Sequence, residues 1–316
     1  MDQPKKVLPI APIIKWAGGK KKLAPIIEQM VAAQIDLSTI DTYVEPFAGG
    51  ASLLLFLSSK YTFKKKVILD INPDLINLYL NVRDHLSELV AKLSSIERKY
   101  NNLSAIEQKD YYYTIRNNFN ENILARKSDH DILNTQLEEK ISSNLNQACY
   151  FIFLNKTDFN GLYRVNSKGT FNVPFGQRKQ ATLFNKSNII NFSELLQNTE
   201  IMLGDYRITE EFAGPGTFFY FDPPYRPLTD SSSFTSYAKS SFNDTSQQEL
   251  AKFVSKISKK GAHFALSNSD PHQSDPADDF FDTLYSDFTI NRIQASRMIS
   301  AKSQGRGKVS ELLIVG

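Results

Sequence analysis

The sequence predicts an α/β protein, a doubly wound parallel sheet interrupted by a mainly helical insertion that carries a basic β-hairpin. Three observations predict it. Short apolar runs recur at 42–47, 67–70, 200–203, 217–221, 262–267 and 311–315, bounded by Gly, Pro, Asp or Asn. Helical patterns at 20–33, 51–59, 73–93 and 245–258 lie between most of them. The rhythm breaks from about 85 to 198 and resumes near 200.

Strands that read as continuous apolar runs belong to sheets covered on both faces, which are mostly parallel. Their alternation with helices argues for one α/β domain built from 1–84 and 199–316. The first and last of the four helices have capping residues at hand, Asp244 or Thr245 for the last. The insertion, 85–198, is helical and polar first. It then alternates and turns through Asn160–Gly176, with Ser167-Lys168-Gly169 as the tip of a hairpin. No internal repeat or low-complexity tract is present.

The 316 residues suit roughly two domains of about 150 each. One cysteine, Cys149, excludes a disulfide framework and zinc sites built on cysteine pairs, and it reads as a buried small hydrophobe. His85, His130, His263 and His272 are scattered, so no metal is expected, and His263 reads as a core histidine of an apolar strand. No run of about 18 apolar residues predicts a membrane-crossing helix, and the first residues lack the apolar stretch of a signal peptide. A cytoplasmic monomer is the expectation. Net charge is only +3, but it is unevenly spread. Seven basic residues against one acidic give 140–190 a net +6, and six against one give 1–25 a net +5. Two basic regions on a nearly neutral chain point to a polyanion, with solvated surface lysine as the plain alternative.

Three segments carry chemistry. In Val44-Glu-Pro-Phe-Ala-Gly-Gly-Ala-Ser52 a strand runs through Gly49 and Gly50 into a helix, which lets a ligand approach the backbone. Asp70 ends the next strand 21 positions after Gly49, the spacing of an acid that grips ribose hydroxyls. The glycines form neither G-x-G-x-x-G nor a P-loop, and they serve equally as a tight turn with Asp70 as a cap. In Phe218-Phe-Tyr-Phe-Asp-Pro-Pro-Tyr225 an apolar strand ends in a carboxylate, two prolines and an aromatic ring. The prolines remove two N–H donors and leave carbonyls free to accept. Asp222 and a proline carbonyl therefore offer two acceptors to a planar –NH₂, and Tyr225 offers a face for stacking. In Ile14-Lys-Trp-Ala-Gly-Gly-Lys20 the only tryptophan sits in a basic, glycine-rich loop rather than an apolar run.

With these motifs in this order, the chain resembles the Dam-type (D12 class, alpha-group) adenine-specific DNA methyltransferases over nearly its full length. Lys15-Trp-Ala-Gly-Gly-Lys20, Glu45-Pro-Phe-Ala-Gly-Gly-Ala-Ser52 and Asp70-Ile-Asn72 come first. Phe159-Asn-Gly-Leu-Tyr-Arg164, Phe171-Asn-Val-Pro-Phe-Gly176, Gly204-Asp205, Asp222-Pro-Pro-Tyr225, Phe234-Thr-Ser-Tyr237 and the tail Arg306–Ile314 follow. The resemblance implies a Rossmann-like S-adenosylmethionine-dependent core with 85–198 as target-recognition domain. It implies S-adenosylmethionine as cofactor and double-stranded DNA as partner. Trp16, Ala17, Gly18, Lys20, Glu45, Phe47, Gly49, Asp70, Asn72, Asp205 and Asp222 match cofactor positions, with Asp205 at the adenine ring. Asp222, Pro223, Pro224 and Tyr225 match the catalytic motif. Lys15, Asn160, Leu162, Arg164, Asn166, Pro174, Arg178, Phe234 and Tyr237 match the DNA-binding set. Lys15 and Arg164 fall where Dam-type enzymes contact guanines, which implies 5′-GATC-3′. Gln177-Arg-Lys-Gln departs from the Tyr-Lys often found there.

The residues leave alternatives open. The acceptor motif suits an RNA adenine or a DNA cytosine as well. A catalytically idle DNA-binding protein and a nicotinamide-dependent oxidoreductase are the other classes, and the latter lacks its glycine fingerprint. Protection against a cognate nuclease and regulation of host DNA are equally compatible with the sequence.

Overall fold

The computed structural model describes residues 10–127, 137–228, 242–296 and 308–316. Its elements, in chain order, are α1 (Ala24–Ala32), β1 (Thr42–Glu45), α2 (Ser52–Leu57), β2 (Lys65–Asp70), α3 (Pro73–Asp84), α4 (Leu86–Asn101), α5 (Ala105–Lys127), α6 (Leu137–Thr157), α7 (Lys186–Leu196), β3 (Thr199–Leu203), β4 (Thr217–Phe221), α8 (Asp244–Lys259), β5 (His263–Ser269), α9 (Phe280–Leu284), β6 (Thr289–Ser296) and β7 (Lys308–Val315). The chain divides into two compact units. One comprises Met1–Gly19, Gly49–Leu55 and Asp70–Leu203, the other Lys20–Ala48, Phe56–Leu69 and Gly204–Gly316. No helix among the described residues is long and apolar enough to cross a membrane.

The second unit holds the run β2-β1-β4-β5-β7-β6 of a seven-stranded mixed sheet. β1 pairs in parallel with β2 (Val44 opposite Val67) and with β4 (Val44 opposite Phe219), and β4 with β5 (Phe221 opposite Leu266). β7 runs antiparallel between β5 and β6. All five residues of β4 are buried, as are Val67, Ile68 and Leu69 of β2. That two-sided burial is why these strands read as unbroken apolar runs. β6 escapes the sequence pattern for the converse reason. It lies at the sheet edge, and only Ile293 of 289–294 is buried. His263 opens β5 and is exposed, so the core reading of that histidine is corrected.

In the first unit α6 is the hub, packed by α3, α4 and α5. Ala148, Cys149, Phe151, Ile152, Phe153 and Leu154 are buried, since a helix covered on several sides is apolar all round. The expected helix over 73–93 is instead two helices broken at His85. The Arg83 carbonyl accepts a 2.7 Å hydrogen bond from Gln197, a long-range partner that diverts the end of α3. Two expected caps also shift. Asn243, not Asp244 or Thr245, caps α8 by accepting from the Ser246 N–H. α1 starts at Ala24 with no side-chain cap, and the Lys20 carbonyl takes the Leu23 and Ala24 N–H groups.

The hairpin forms with its tip where the sequence puts it. Val165 faces Phe171 in an antiparallel bridge, the Gly169 N–H donates to the Asn166 carbonyl, and Asn166 Oδ1 accepts from Lys168 and Thr170. At its base Asp158 faces Phe175, and the Gly176 N–H donates to the Thr157 carbonyl. A Cβ on Gly176 would lie 2.1 Å from the Asp158 carbonyl oxygen, inside any tolerable contact. Gly176→Ala is therefore expected to lower stability by at least about 2 kcal/mol, because two backbone segments must separate. Gly214, with nothing within 4 Å of its Cβ position, is the control. Thermal unfolding of the two alanine variants checks the difference.

Candidate functional site

In the first unit the chain turns at Gly49 before entering α2. Gly49 has φ +46°, and a Cβ there would meet the Trp16 indole at 2.7 Å. The Gly49 N–H donates to Asp70 Oδ2 at 3.0 Å, and its carbonyl accepts from the Tyr79 hydroxyl. Asp70 Oδ1 accepts from the Asn72 N–H at 2.9 Å. Burial pushes the Asp70 carboxyl above the usual range, and the N–H groups of Gly49, Asn72 and Ile71 oppose that shift. Asn72 in turn caps α3, accepting from Asp74 and Leu75. Trp16 is half-buried and stacks on Tyr163 at 5.5 Å, while Ala17 and Gly18 are exposed. The structure thus brings together Trp16, Gly49, Asp70 and Asn72.

The same unit carries the loop ahead of the hairpin. Asn155 is buried and clamps two segments. It accepts from the Lys15 N–H at 2.8 Å, and it donates to the Lys15 carbonyl at 2.9 Å and the Gly161 carbonyl at 3.2 Å. Asp158 Oδ1 accepts from the N–H groups of Gly161 and Leu162, at 2.6 and 3.2 Å. Asn160 is exposed with φ +70°. Arg164 donates through Nε to Asn172 Oδ1 at 2.8 Å and through Nη2 to the Asn172 carbonyl at 3.3 Å. The Pro174 carbonyl takes the Phe159 N–H, and Arg178 is exposed.

In the second unit Asp222 follows the last residue of the fully buried β4. Lys20, 5% exposed, reaches its Oδ1 at 2.9 Å and lies 4.8 Å from the centre of the Tyr225 ring. Burial pushes the Asp222 carboxyl up, and Lys20 works against it. The Tyr225 hydroxyl donates to Glu311 Oε2 at 2.9 Å. Gln247 donates to the Pro224 carbonyl at 3.0 Å and accepts from Asn268 at 3.1 Å. Asn268 accepts from the Arg226 N–H. Among the described residues the Pro223 carbonyl accepts no hydrogen bond, so Pro224 anchors the turn and Pro223 keeps a free acceptor. Phe47 stacks on Tyr206 at 5.5 Å. Asp205 Oδ1 is held by the Arg207 N–H and guanidinium at 3.0 and 3.1 Å. Glu45 is buried and accepts from the Tyr43 hydroxyl.

His272, Asp279 and Asp282 cluster closely enough to hold a metal. Arg292 Nη2 already lies 2.8 Å from His272 Nδ1 and 2.9 Å from Asp282 Oδ2, so a guanidinium supplies the positive charge there.

The family model of the D12 class N6 adenine-specific DNA methyltransferase matches residues 16–299. The chain belongs to this family. It is similar to the type II methyltransferase M.MjaIII of Methanocaldococcus jannaschii, 42% identical over 97% of this chain and 99% of that one. It is 35% identical to the type II methyltransferase M1.LlaDCHI of Lactococcus lactis subsp. cremoris, over 98% and 96% of the two chains. It is 31% identical to a DNA adenine methylase of Haemophilus influenzae, over 96% and 93%.

For this D12 methyltransferase, Phe234 and Tyr237 lie outside the described residues. The residues that sequence reasoning missed are partners of those it found: Asn155, Asp158, Asn172, Gln247, Asn268 and Glu311. Glu311 alone left a signal, as the single acid at the head of the apolar run 311–315. Asp158 is 1% exposed, and its Oδ2 has no hydrogen-bond partner among the described residues. Burial pushes its carboxyl up to about 7, against the N–H groups of Gly161 and Leu162 and the charges of Lys15 and Arg178. The unfolded chain loses this proton near 3.8 and the folded chain near 7, so stability falls as pH rises through that window. The loss is on the order of 2–4 kcal/mol. Asp158→Asn is expected to remove that slope, melting above the parent at pH 8 but not at pH 5. Parallel melting profiles for the two proteins would refute the assignment.

Proposed function

We propose that this methyltransferase moves the methyl group of S-adenosylmethionine directly onto N6 of an adenine flipped out of duplex DNA, in 5′-GATC-3′. One observation carries the reading. Asp222, ion-paired with Lys20, is followed at once by a Pro223 carbonyl that is free among the described residues. An exocyclic –NH₂ offers two donors, and these are two acceptors.

Adenine N6 is a poor nucleophile because its lone pair is delocalised into the ring. Two acceptors draw both hydrogens out of the ring plane and free the lone pair. Asp222 then stabilises positive charge growing on nitrogen. It is not cast as a strong base, since the amino group becomes acidic only as the methyl arrives. Flipping a base out of the duplex costs a few kcal/mol. Stacking on Tyr225 returns about 1–3 kcal/mol. Lys20 covers one face of that ring, so the base takes the other. S-adenosylmethionine supplies an already electrophilic sulfonium methyl, which leaves the protein orientation and electrostatics. The first unit fits such a cofactor. Both oxygens of Asp70 are oriented by backbone N–H groups and keep lone pairs for ribose hydroxyls, and Gly49 has no Cβ in the way. On the sequence resemblance, Trp16, Ala17, Gly18, Lys20, Glu45, Phe47, Asn72 and Asp205 are the other proposed cofactor residues.

Residues 85–198 are the proposed target-recognition segment. Lys15 and Arg164 are proposed to read guanines, with Asn160, Leu162, Asn166, Pro174 and Arg178 along the same surface. Asn172 engages the Nε–Nη2 edge of Arg164, which leaves the Nη1–Nη2 edge for bidentate contact with guanine O6 and N7.

Labelled methyl from S-adenosylmethionine should enter a GATC duplex and not one altered at its first guanine. Equal label in both discards the site, and label in RNA or cytosine discards the substrate. Asp222→Ala should lower turnover at least on the order of 10²–10³-fold with the fold intact. Arg164→Ala should weaken discrimination at a single guanine by about 1–3 kcal/mol, measured on duplexes substituted at each position. A uniform loss on all duplexes would make it a phosphate contact.

A further inference from the structure

We infer that Glu311 is a positioning residue for methyl transfer, holding the Tyr225 ring through its hydroxyl. The inference rests on the reading of Tyr225 as the stacking face.

Both ends of this contact are fixed. Glu311 sits in β7, paired with Ser269 of β5 on one side and Ile293 of β6 on the other. Leu312 to Val315, which follow it, are buried, so its backbone cannot shift without disturbing the sheet. Tyr225 follows Pro223 and Pro224, whose rings fix φ. The Pro224 carbonyl is anchored by the buried Gln247. With the backbone held at one end and the phenolic oxygen bound 2.9 Å from Glu311 Oε2 at the other, the ring axis cannot swing about χ1, and the Lys20 ammonium 4.8 Å from the ring centre packs on one face. A stacking platform needs that. A base flipped from a duplex must arrive in one plane for its amino group to meet Asp222 and Pro223, and a rocking ring would misplace it.

The charge on Glu311 is a second, separate observation. It pushes the Asp222 carboxyl further up, after burial and against Lys20. A neutral amide would hold the hydroxyl without that like-charge repulsion. A carboxylate there makes the surroundings of Asp222 more negative, which favours the positive charge that grows on the amino nitrogen. The Tyr225 hydroxyl is held well above its ordinary range by burial and by the Asp222 and Glu311 charges, so it stays a donor. The tail strand therefore contributes to the reaction as well as to the sheet.

A double-mutant cycle on the full-length enzyme tests this, using Tyr225→Phe, Glu311→Ala and the double variant, with Glu311→Gln and Glu311→Asp beside them. Methyl transfer to a duplex with a single target adenine gives kcat and KM. Tyr225→Phe and Glu311→Ala should each lower kcat about tenfold, as expected for losing a hydrogen bond to a charged group. KM for S-adenosylmethionine should hold. The double variant should fall below Tyr225→Phe only by the share lost with the Glu311 charge, well short of the product of the two single losses, because the hydroxyl contact is shared. Glu311→Gln should recover part of the loss. Glu311→Asp keeps the charge, withdraws the acceptor by one methylene, and should lower kcat in the wild-type background but not beside Tyr225→Phe. It serves as the decisive pair if Glu311→Ala fails to fold. Multiplicative losses in the double variant, or a lowered melting temperature with unchanged kcat, would overturn the inference. Absence of adenine methylation by the wild-type enzyme would instead overturn the reading beneath it.

Discussion

The ion pair of buried Lys20 and half-buried Asp222 is the constraint around which the proposed acceptor of the second unit is arranged. A carboxylate just beyond a strand buried along its whole length has lost most of its water, and ionising it there is unfavourable. Lys20, itself 5% exposed, is the counter-charge at 2.9 Å. Replacing such a pair by well-packed apolar residues is often neutral or stabilising, whereas removing one partner is strongly destabilising. Stability alone gives no reason for the pair, whereas the acceptor role proposed for Asp222 requires an ionised carboxylate. The ammonium's position over Tyr225 ties the aromatic ring to the same charge, with a cation–π contact worth about 0.5–2 kcal/mol.

Around that pair, and in the other unit too, carboxamides hold irregular backbone in place. Asn155 accepts from and donates to the Lys15 backbone while also holding the Gly161 carbonyl. Gln247 and Asn268 pass a chain of hydrogen bonds from the Pro224 carbonyl to the Arg226 N–H. A carboxamide carries donor and acceptor together and no charge, so it can be buried fully provided every group is paired. Loops that must present a lysine, an arginine or a tyrosine at fixed positions gain rigidity without a helix or strand of their own.

What the sequence revealed and what it concealed divide along the same line. Buried strands announce themselves because burial on both faces leaves only apolar side chains, as in β4, whereas β6 buries too little to be seen. Beside the break at His85 the Arg83 carbonyl is taken by Gln197, 114 residues away, a partner that no local pattern contains. Asp222, Tyr225, Gly49 and Asp70 could be proposed as site residues from the sequence, because residue types at strand ends suggest a chemistry. Asn155, Asp158 and Asn172 could not, because an amide or a carboxylate in a helix or loop acquires meaning only from the group it meets. Trp16 was legible as unusual. Its contacts with Gly49 and Tyr163 give it a packing role beside any ligand.

The chemistry at Asp222 is indifferent to which base brings the amino group. In the proposed site a carboxylate and a proline carbonyl can accept two N–H bonds from adenine or cytosine alike, and the face of Tyr225 can stack on either. Discrimination must therefore come from groups that carry direction. Arg164, the proposed guanine reader, is such a group, since Asn172 takes one edge of its guanidinium and leaves the other open. The hairpin is aimed in turn by the Asp158 loop and by the close approach at Gly176. A change of sequence preference in this family can thus arise in the hairpin while the acceptors stay as they are.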